Sequence, residues 1–315
     1  MAELDAAYTT LHARFRFEKA FYQAVLANLG NHETTIGVVD GYLNNGNLGK
    51  CITEASESAE KASAAVLEEL ADRLDDAVNN YYDILVSNGK KIWISNSTFN
   101  ANTNVWDIEG DIKINNGLAE AKALKSINYS LSISQMRSGL TTGYYLLKCQ
   151  AFEQNGDNDW SGRNHIEGVE KKNFHLFANG TETEICSVYE IPYNGNNSQN
   201  GFVCNAQGAA QLFKEDSKNY CNYILLYVDN RRIEFGLKRD LTTVTSSDWC
   251  CFDNFELYHL DTVPTEVKTN FMSAEKTESP IYDLTGIYYG TTVNGALPQN
   301  LNKGIYCVNQ HLIIK

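Results

Sequence analysis

The sequence predicts a multidomain α+β protein: an N-terminal helical hairpin or small bundle, a central antiparallel jelly-roll β-sandwich and a short C-terminal β tail. Three observations predict it. Apolar residues recur at helical spacing through the first ninety or so positions. Near residue 91 the period drops to two, and Gly- and Asn-rich turns separate short runs until 260. Beyond a linker-like stretch, the remaining residues hold only short β runs. The expected domains are therefore 1–90, 91–260 and 261–315.

In the helical part, AAYTTLHARFRFEKAFYQAVLANL places Leu11, Phe15, Ala20 or Phe21, Val25 and Leu29 on one stripe. A looser GVVDGYLNNGNLGK follows. A second helix then carries Ala59, Ala62, Val66, Leu70, Leu74, Val78, Tyr81 and Leu85, with Thr53, Ser56 and Glu57 as capping residues at its start. The two stripes can bury one another, completed by a segment from 36 to 48 or by the next domain.

The β part reads as nine strands: KIWIS, VWDIE, INYSLSISQM, GYYLLKCQAF, NFHLFANG, ETEICSVYEI, CNYILLYVD, RRIEFGLKR and WCCFDNFELYHL. Their Tyr, Phe, Ile and Leu supply the inner faces of two sheets. GAAQLFKEDSKNY, 208–220, is a short helix or turn whose Phe213 plugs the core. Cys250 and Cys251 must point to opposite faces of their strand, so that one is buried while the other is exposed or paired elsewhere. In the tail, PIYDLTGIYY, GIYCVN and HLIIK pair as a small sheet or dock on a neighbour.

Composition excludes several classes of function. A formal charge of −13, from 39 acidic and 26 basic residues, leaves no concentrated basic surface for a phosphate backbone, so nucleic acid is not the general partner. The longest clear apolar run, YILLYV at 223–228, is far short of the ~20 residues that span a bilayer. The opening MAELDAAY lacks the basic and apolar stretches of a secretory signal. Eight cysteines without a CxxC pair make a zinc ribbon improbable; buried free thiols are expected first, with disulfides left open. There is no GxSxG elbow, HExxH helix or GxxxxGK[ST] loop, and the six histidines are dispersed. Acid pairs exist, Asp157 with Asp159 and Glu54 with Glu57, but nothing sets them the ~5–10 Å apart that glycoside hydrolysis needs.

Two loops carry the chemistry of sugar recognition, an aromatic ring for the C–H face and planar polar groups for hydroxyls. EQNGDNDWSGRNHIEG, 153–168, offers Trp160, Arg163, Asn164 and His165; YEIPYNGNNSQNGF, 189–202, offers Tyr193, Asn194 and Asn197. Both can also be solvated loops, with Trp160 folded onto the domain. Trp106 and Trp249 are expected to be core or rim residues.

Three segments carry a family resemblance: ISNSTFNANTNVWDIEG with Asn96, Phe99 and Trp106; GLTTGYYLLKCQAFEQNG with Gly143, Tyr145, Leu147, Gln150, Ala151 and Phe152; and SSDWCCFDNFELYHL with Asp253, Asn254 and Phe255. Together they resemble secreted and surface proteins of Bacteroidetes with a galactose-binding-like jelly roll, the fold of many carbohydrate-binding modules. The tail, through Ile281, Tyr282, Asp283, Leu284, Gly286, Gly304, Ile305, Tyr306 and Lys315, resembles type IX secretion sorting tails. It departs from them at Gly286-Ile287 and Asn309-Gln310-His311. The resemblance implies a structural calcium where the last strand meets the first, with Asp253 as carboxylate and Asn96 or Asn100 as neutral ligands. The alternative for Asp253 and Asn254 is hydrogen bonding to a neighbouring loop.

The sequence thus supports a non-catalytic extracellular or cell-surface accessory protein, exported with its signal peptide removed, that binds a neutral glycan through sandwich-end loops. Trp160 would stack on the sugar while Arg163, Asn164 and Tyr193 reach its hydroxyls. The alternative is a structural or adhesive protein that binds surface proteins or self-associates; a glycan-processing enzyme is the minor reading.

Overall fold

The computed structural model describes residues 2–34, 47–100, 105–114, 117–122, 131–156, 158–166, 170–239, 248–260, 280–283, 288–292, 298, 301, 305–308 and 311–314. The expected contribution of residues 36–46, the linker 261–279, Asp157 and the side chains of Leu29, Asp159 and Trp160 lie outside the described residues.

Three helices form the N-terminal bundle: α1 (Ala2–Thr34), α2 (Asn47–Ala59) and α3 (Ala64–Asn88), each packed on the other two. The predicted second helix is therefore two. The break falls at the polar Glu60 and Lys61, and Ser63 restarts the chain by accepting the Val66 N–H on its Oγ at 3.4 Å. Thr53 does not cap: it lies inside α2 with its hydroxyl donating to the Gly49 carbonyl. The buried stripes also differ from expectation. In α1 the face that packs is Ala13, Phe17, Ala20, Phe21, Ala24 and Val25, while Leu11 and Phe15 are exposed. Small residues let helix axes approach closely, so the alanine-rich face wins over a bulkier one. In α3, Leu67 replaces Val66 in the core beside Leu70, Ala71, Leu74, Tyr81 and Leu85. Arginines fasten the bundle. Arg14 caps the last carbonyl of α2, at Ala59, and Arg16 forks to Glu68 and Asp72 on α3.

The second unit, Gly89–Asp261, contains β1 (Lys90–Ile92), β2 (Asp107–Glu109), β3 (Ile112–Ile114), β4 (Ala119–Lys122), β5 (Leu131–Ser138) and β6 (Gly143–Gln154). Next come α4 (Asn158–Ile166), β7 (Phe174–Ala178), β8 (Thr181–Glu184), β9 (Cys186–Ser187), a 3₁₀ turn (Val188–Glu190), β10 (Ser198–Gln199) and β11 (Phe202–Val203). It ends with α5 (Ala206–Glu215), β12 (Cys221–Val228), β13 (Arg232–Arg239) and β14 (Trp249–Leu260). One sheet runs β12-β6-β14-β4-β3, with β1 also on β14 and β9 on β6; the other runs β2-β5-β13-β7-β8. The long strands β5, β6, β7, β12, β13 and β14 fall alternately in the two sheets, the winding of a jelly roll. Their period-two residues, among them Ile133, Tyr145, Leu147, Phe174, Leu176, Ile224, Phe235, Leu237 and Leu257, meet in one core.

ETEICSVYEI is not one strand. The chain leaves β8 in the β2-β5-β13-β7-β8 sheet, passes through buried Ile185 and enters β9 beside β6 in the other sheet, where a reciprocal Ser187–Glu190 capping box starts the 3₁₀ turn. Predicted short helix 208–220 is α5, and Phe213 does plug a core. This second, smaller cluster lies on the other face of β6 and β14, where Phe213 and Tyr220 close over Phe152 and Trp249. Cys250 and Cys251 do point to opposite faces, but both are buried, one in each core. The seven cysteines whose side chains are described are free thiols.

The tail forms a four-stranded antiparallel sheet of β15 (Pro280–Asp283), β16 (Tyr288–Thr291), β17 (Ile305–Val308) and β18 (His311–Ile314), in the order β16-β15-β17-β18.

Candidate functional site

The residues behind the family resemblance are packing residues. β14 pairs with β4 before a bulge at Asp253–Glu256 and with β1 after it, and Asn254 takes a φ of 54° at that step. Between the two neighbours the Phe255 N–H has no strand beside it and donates instead to the Ser97 carbonyl at 3.0 Å. The opening segment folds onto this gap as a tight turn with positive φ at Asn96 and Phe99. Phe99 then sits among Trp106, Phe252 and Phe255, with ring centroids 5.3 to 6.1 Å away. The middle motif is equally structural. A Cβ at Gly143 would stand 2.7 Å from His259 Nε2, and the Tyr145 hydroxyl donates to the Thr141 carbonyl. Gln150 donates to the carbonyls of Asp216 and Asn219 and accepts from Asn254 Nδ2. Asn254 therefore bonds to the neighbouring strand β6, and it is Gln150 of that strand that reaches the α5–β12 loop.

These residues fit a calcium ion poorly. The Asn96 carbonyl already accepts from Trp106 Nε1 and the Phe99 N–H, and Asn100 is exposed with its amide donating to Thr98. Burial pushes the Asp253 carboxyl up to about 7, although the Asn254 N–H bonded to it pulls the other way. A hard divalent ion needs several ionised or carbonyl oxygens, and among the described residues no group of three or more His, Cys, Asp or Glu is placed to hold a metal.

The two polar loops behave differently from one another and from expectation. The first is not a loop over 158–166 but α4, whose last turn carries Arg163 and His165, cations that suit a helix C-terminus. The second contains a two-residue hairpin, β10–β11, whose turn residues Asn200 and Gly201 both have positive φ, the type I′ pattern. Between α4, the 3₁₀ turn and this hairpin lies a cleft of about 360 Å³ lined by Gly162, Arg163, His165, Ile166, Tyr189, Asn200 and Phe202.

Its geometry is fixed from behind. His165 Nδ1 lies 2.8 Å from Glu170 Oε2, and the other Glu170 oxygen accepts the Ser187 hydroxyl at 2.6 Å. Burial alone would raise the Glu170 carboxyl. The hydrogen bond from His165, the charge of Lys172 and the Ser187 hydroxyl outweigh it and hold the group below its ordinary value. Ser187 also caps the turn that presents Tyr189. The Tyr189 ring packs against His165 at 5.6 Å and edge-on against Phe202 at 5.0 Å. An apolar wall thus stands next to exposed Arg163 and Asn200.

Of the residues named from sequence, Arg163 and His165 line the cleft. Asn164 is part-exposed on the same helix and Asn194 is exposed, yet neither belongs to the lining. Tyr193 is only 8% exposed and donates its hydroxyl to Gln211 Oε1, anchoring the hairpin to α5. Asn197 accepts from Asn205, the α5 N-cap. Tyr189, Asn200 and Phe202, which complete the lining, are not among the residues that the sequence singles out. The Asn200-Gly201 pair beside Phe202 was the legible hairpin signal.

No known protein family and no curated protein matches this sequence. Solved structures similar to it include TmCBM61 in complex with beta-1,4-galactotriose, 14% identical with a TM-score of 0.27 over 54% of this chain and 99% of that one. A structure described as CBM4 is 8% identical, with a TM-score of 0.27 over 53% and 99% of the two chains. Arabinose-bound MgGH51 α-L-arabinofuranosidase is 7% identical, with a TM-score of 0.29 over 53% of this chain and 26% of that enzyme.

Proposed function

We propose that this is an extracellular or cell-surface accessory protein that binds a neutral glycan reversibly, without catalysis, in the cleft between α4, the 3₁₀ turn and the β10–β11 hairpin. The lining supports this reading. Tyr189 and Phe202 offer an apolar wall to the C–H face of a sugar, while Arg163, His165 and Asn200 offer planar polar groups to its hydroxyls. A volume of about 360 Å³ suits one or two sugar rings. Among the described residues that line the cleft there is no carboxylate, and Glu170 behind them is engaged by His165 and Ser187, an arrangement suited to holding a sugar.

The test is a neutral-glycan array probed with the whole chain, followed by calorimetric titration of each hit with Phe202→Ala and Arg163→Ala. The reading expects saturable binding that both variants weaken at least tenfold. A folded chain that binds no neutral glycan, or binds one equally well in both variants, overturns it.

A further inference from the structure

α1 is apolar on two sides. One side, Ala13, Phe17, Ala20, Phe21, Ala24 and Val25, is spent on the bundle. On the other, Tyr8, Leu11, Phe15, Tyr22 and Leu26 are 55, 68, 43, 42 and 37% exposed. With 3.6 residues per turn these five fall within roughly 60° of arc, nearly opposite the buried face. This includes Leu11 and Phe15 of the stripe that the sequence marks as a packing surface, and it stays exposed.

The size of the patch bears on what covers it. Large side chains expose ~150–250 Å² each, so these five present about 500 Å², near the upper end of the largest patch on ordinary monomers. Two copies face to face would remove about 1,000 Å² of apolar surface, and at the ~60% apolar share usual for interfaces the whole contact would reach about 1,600 Å². That is the size of a specific, stable interface.

We propose that α1 pairs with α1 of a second copy of this chain, antiparallel about a two-fold axis at Phe15. In that register Phe15 meets Phe15 of the partner subunit and Tyr8 meets Tyr22 of the partner subunit. On one flank Leu11 lies along the Glu18 stem of the partner subunit, and on the other His12 lies beside the Lys19 stem of the partner subunit. Every contact recurs by symmetry, as an isologous interface requires.

The experiment is light scattering coupled to size exclusion on the whole chain, over a hundredfold range of concentration, beside the double variant Leu11→Glu/Phe15→Glu. The wild type should rise from 35.3 kDa to twice that mass, while the variant stays at 35.3 kDa with unchanged far-ultraviolet circular dichroism. If the double variant loses helical signal, Leu11→Ser alone replaces it and should weaken association at least tenfold. A wild type that remains at 35.3 kDa throughout, or folded variants that associate like the wild type, overturns the proposal.

Discussion

The bulged junction of β14 with the opening turn and the cleft beside α4 use similar residues, aromatics with Asn and an acid, to opposite ends. At the junction Phe99, Trp106 and Phe255 are buried in the core. The Asn96 and Ser97 carbonyls there are taken up by protein donors. In the cleft, part-exposed Phe202 and exposed Asn200 and Arg163 stand at the surface, and His165 and Ser187 behind them are tied to Glu170. An aromatic-rich motif is thus compatible with recognition only where its polar neighbours reach the surface.

The largest test of this contrast is Phe99→Ala. Removing a ring surrounded by three others should cost about 3–5 kcal/mol, read as a lower urea midpoint for the sandwich transition. The two regions should also answer pH with opposite sign. The Asp253 carboxyl is raised from 3.8 to about 7 by burial, so the stability it contributes is whole below about 3.8 and is lost as pH rises toward 7. At ~1.4 kcal/mol per pH unit the loss is at most about 4 kcal/mol. Glu153, buried and raised from 4.5 to about 8, adds a loss in the same direction. Glu170 in the cleft is lowered, so its contribution is present above 4.5 and lost as pH falls below that. Melting curves should show Asp253→Asn flattening the fall on the neutral side and Glu170→Gln abolishing part of the fall on the acid side; the reverse pattern would show the assignments to be wrong.

Asn254→Ala should be milder, about 2 kcal/mol by urea titration, because alanine tolerates a φ of 54° less well than asparagine and the change deletes the bond to Gln150. Arg163→Ala, exposed in the cleft, should move stability by no more than about 0.5 kcal/mol while it weakens glycan binding. At the small end, millimolar calcium should leave the melting temperature unmoved; a saturable rise that Asp253→Asn removes would restore the metal reading.

How much the sequence disclosed follows the same division. Period two located β5, β7, β12 and β13, where one face is buried and the other is not, while β6 and β14, buried on both faces, read as longer apolar runs. Helical period located α1 but not which of its two apolar faces packs, since both satisfy the same spacing. The loop 153–168 gave Arg163 and His165, yet its polar composition concealed α4. Tyr193 looked like a sugar ligand because a tyrosine among asparagines is the same text whether its hydroxyl faces solvent or Gln211. Tyr189 owes its place to the Ser187 cap and to Glu170, seventeen residues upstream of that serine, a long-range pairing that local patterning does not encode.

β14 is the last strand of the sandwich in sequence, yet it lies inside its sheet between β6 on one edge and β4 and β1 on the other. Its partner in β1 is some 165 residues earlier, as in the Lys91–Glu256 ion pair. No subset of earlier strands can close either core, because β6 has its neighbour missing until β14 arrives. The ribosome must therefore deliver residue 260 before the sandwich can form. Until then the nascent chain carries two open apolar faces and a bare strand edge. High contact order of this kind makes folding slow and late, and it leaves apolar surface open for the whole of that interval.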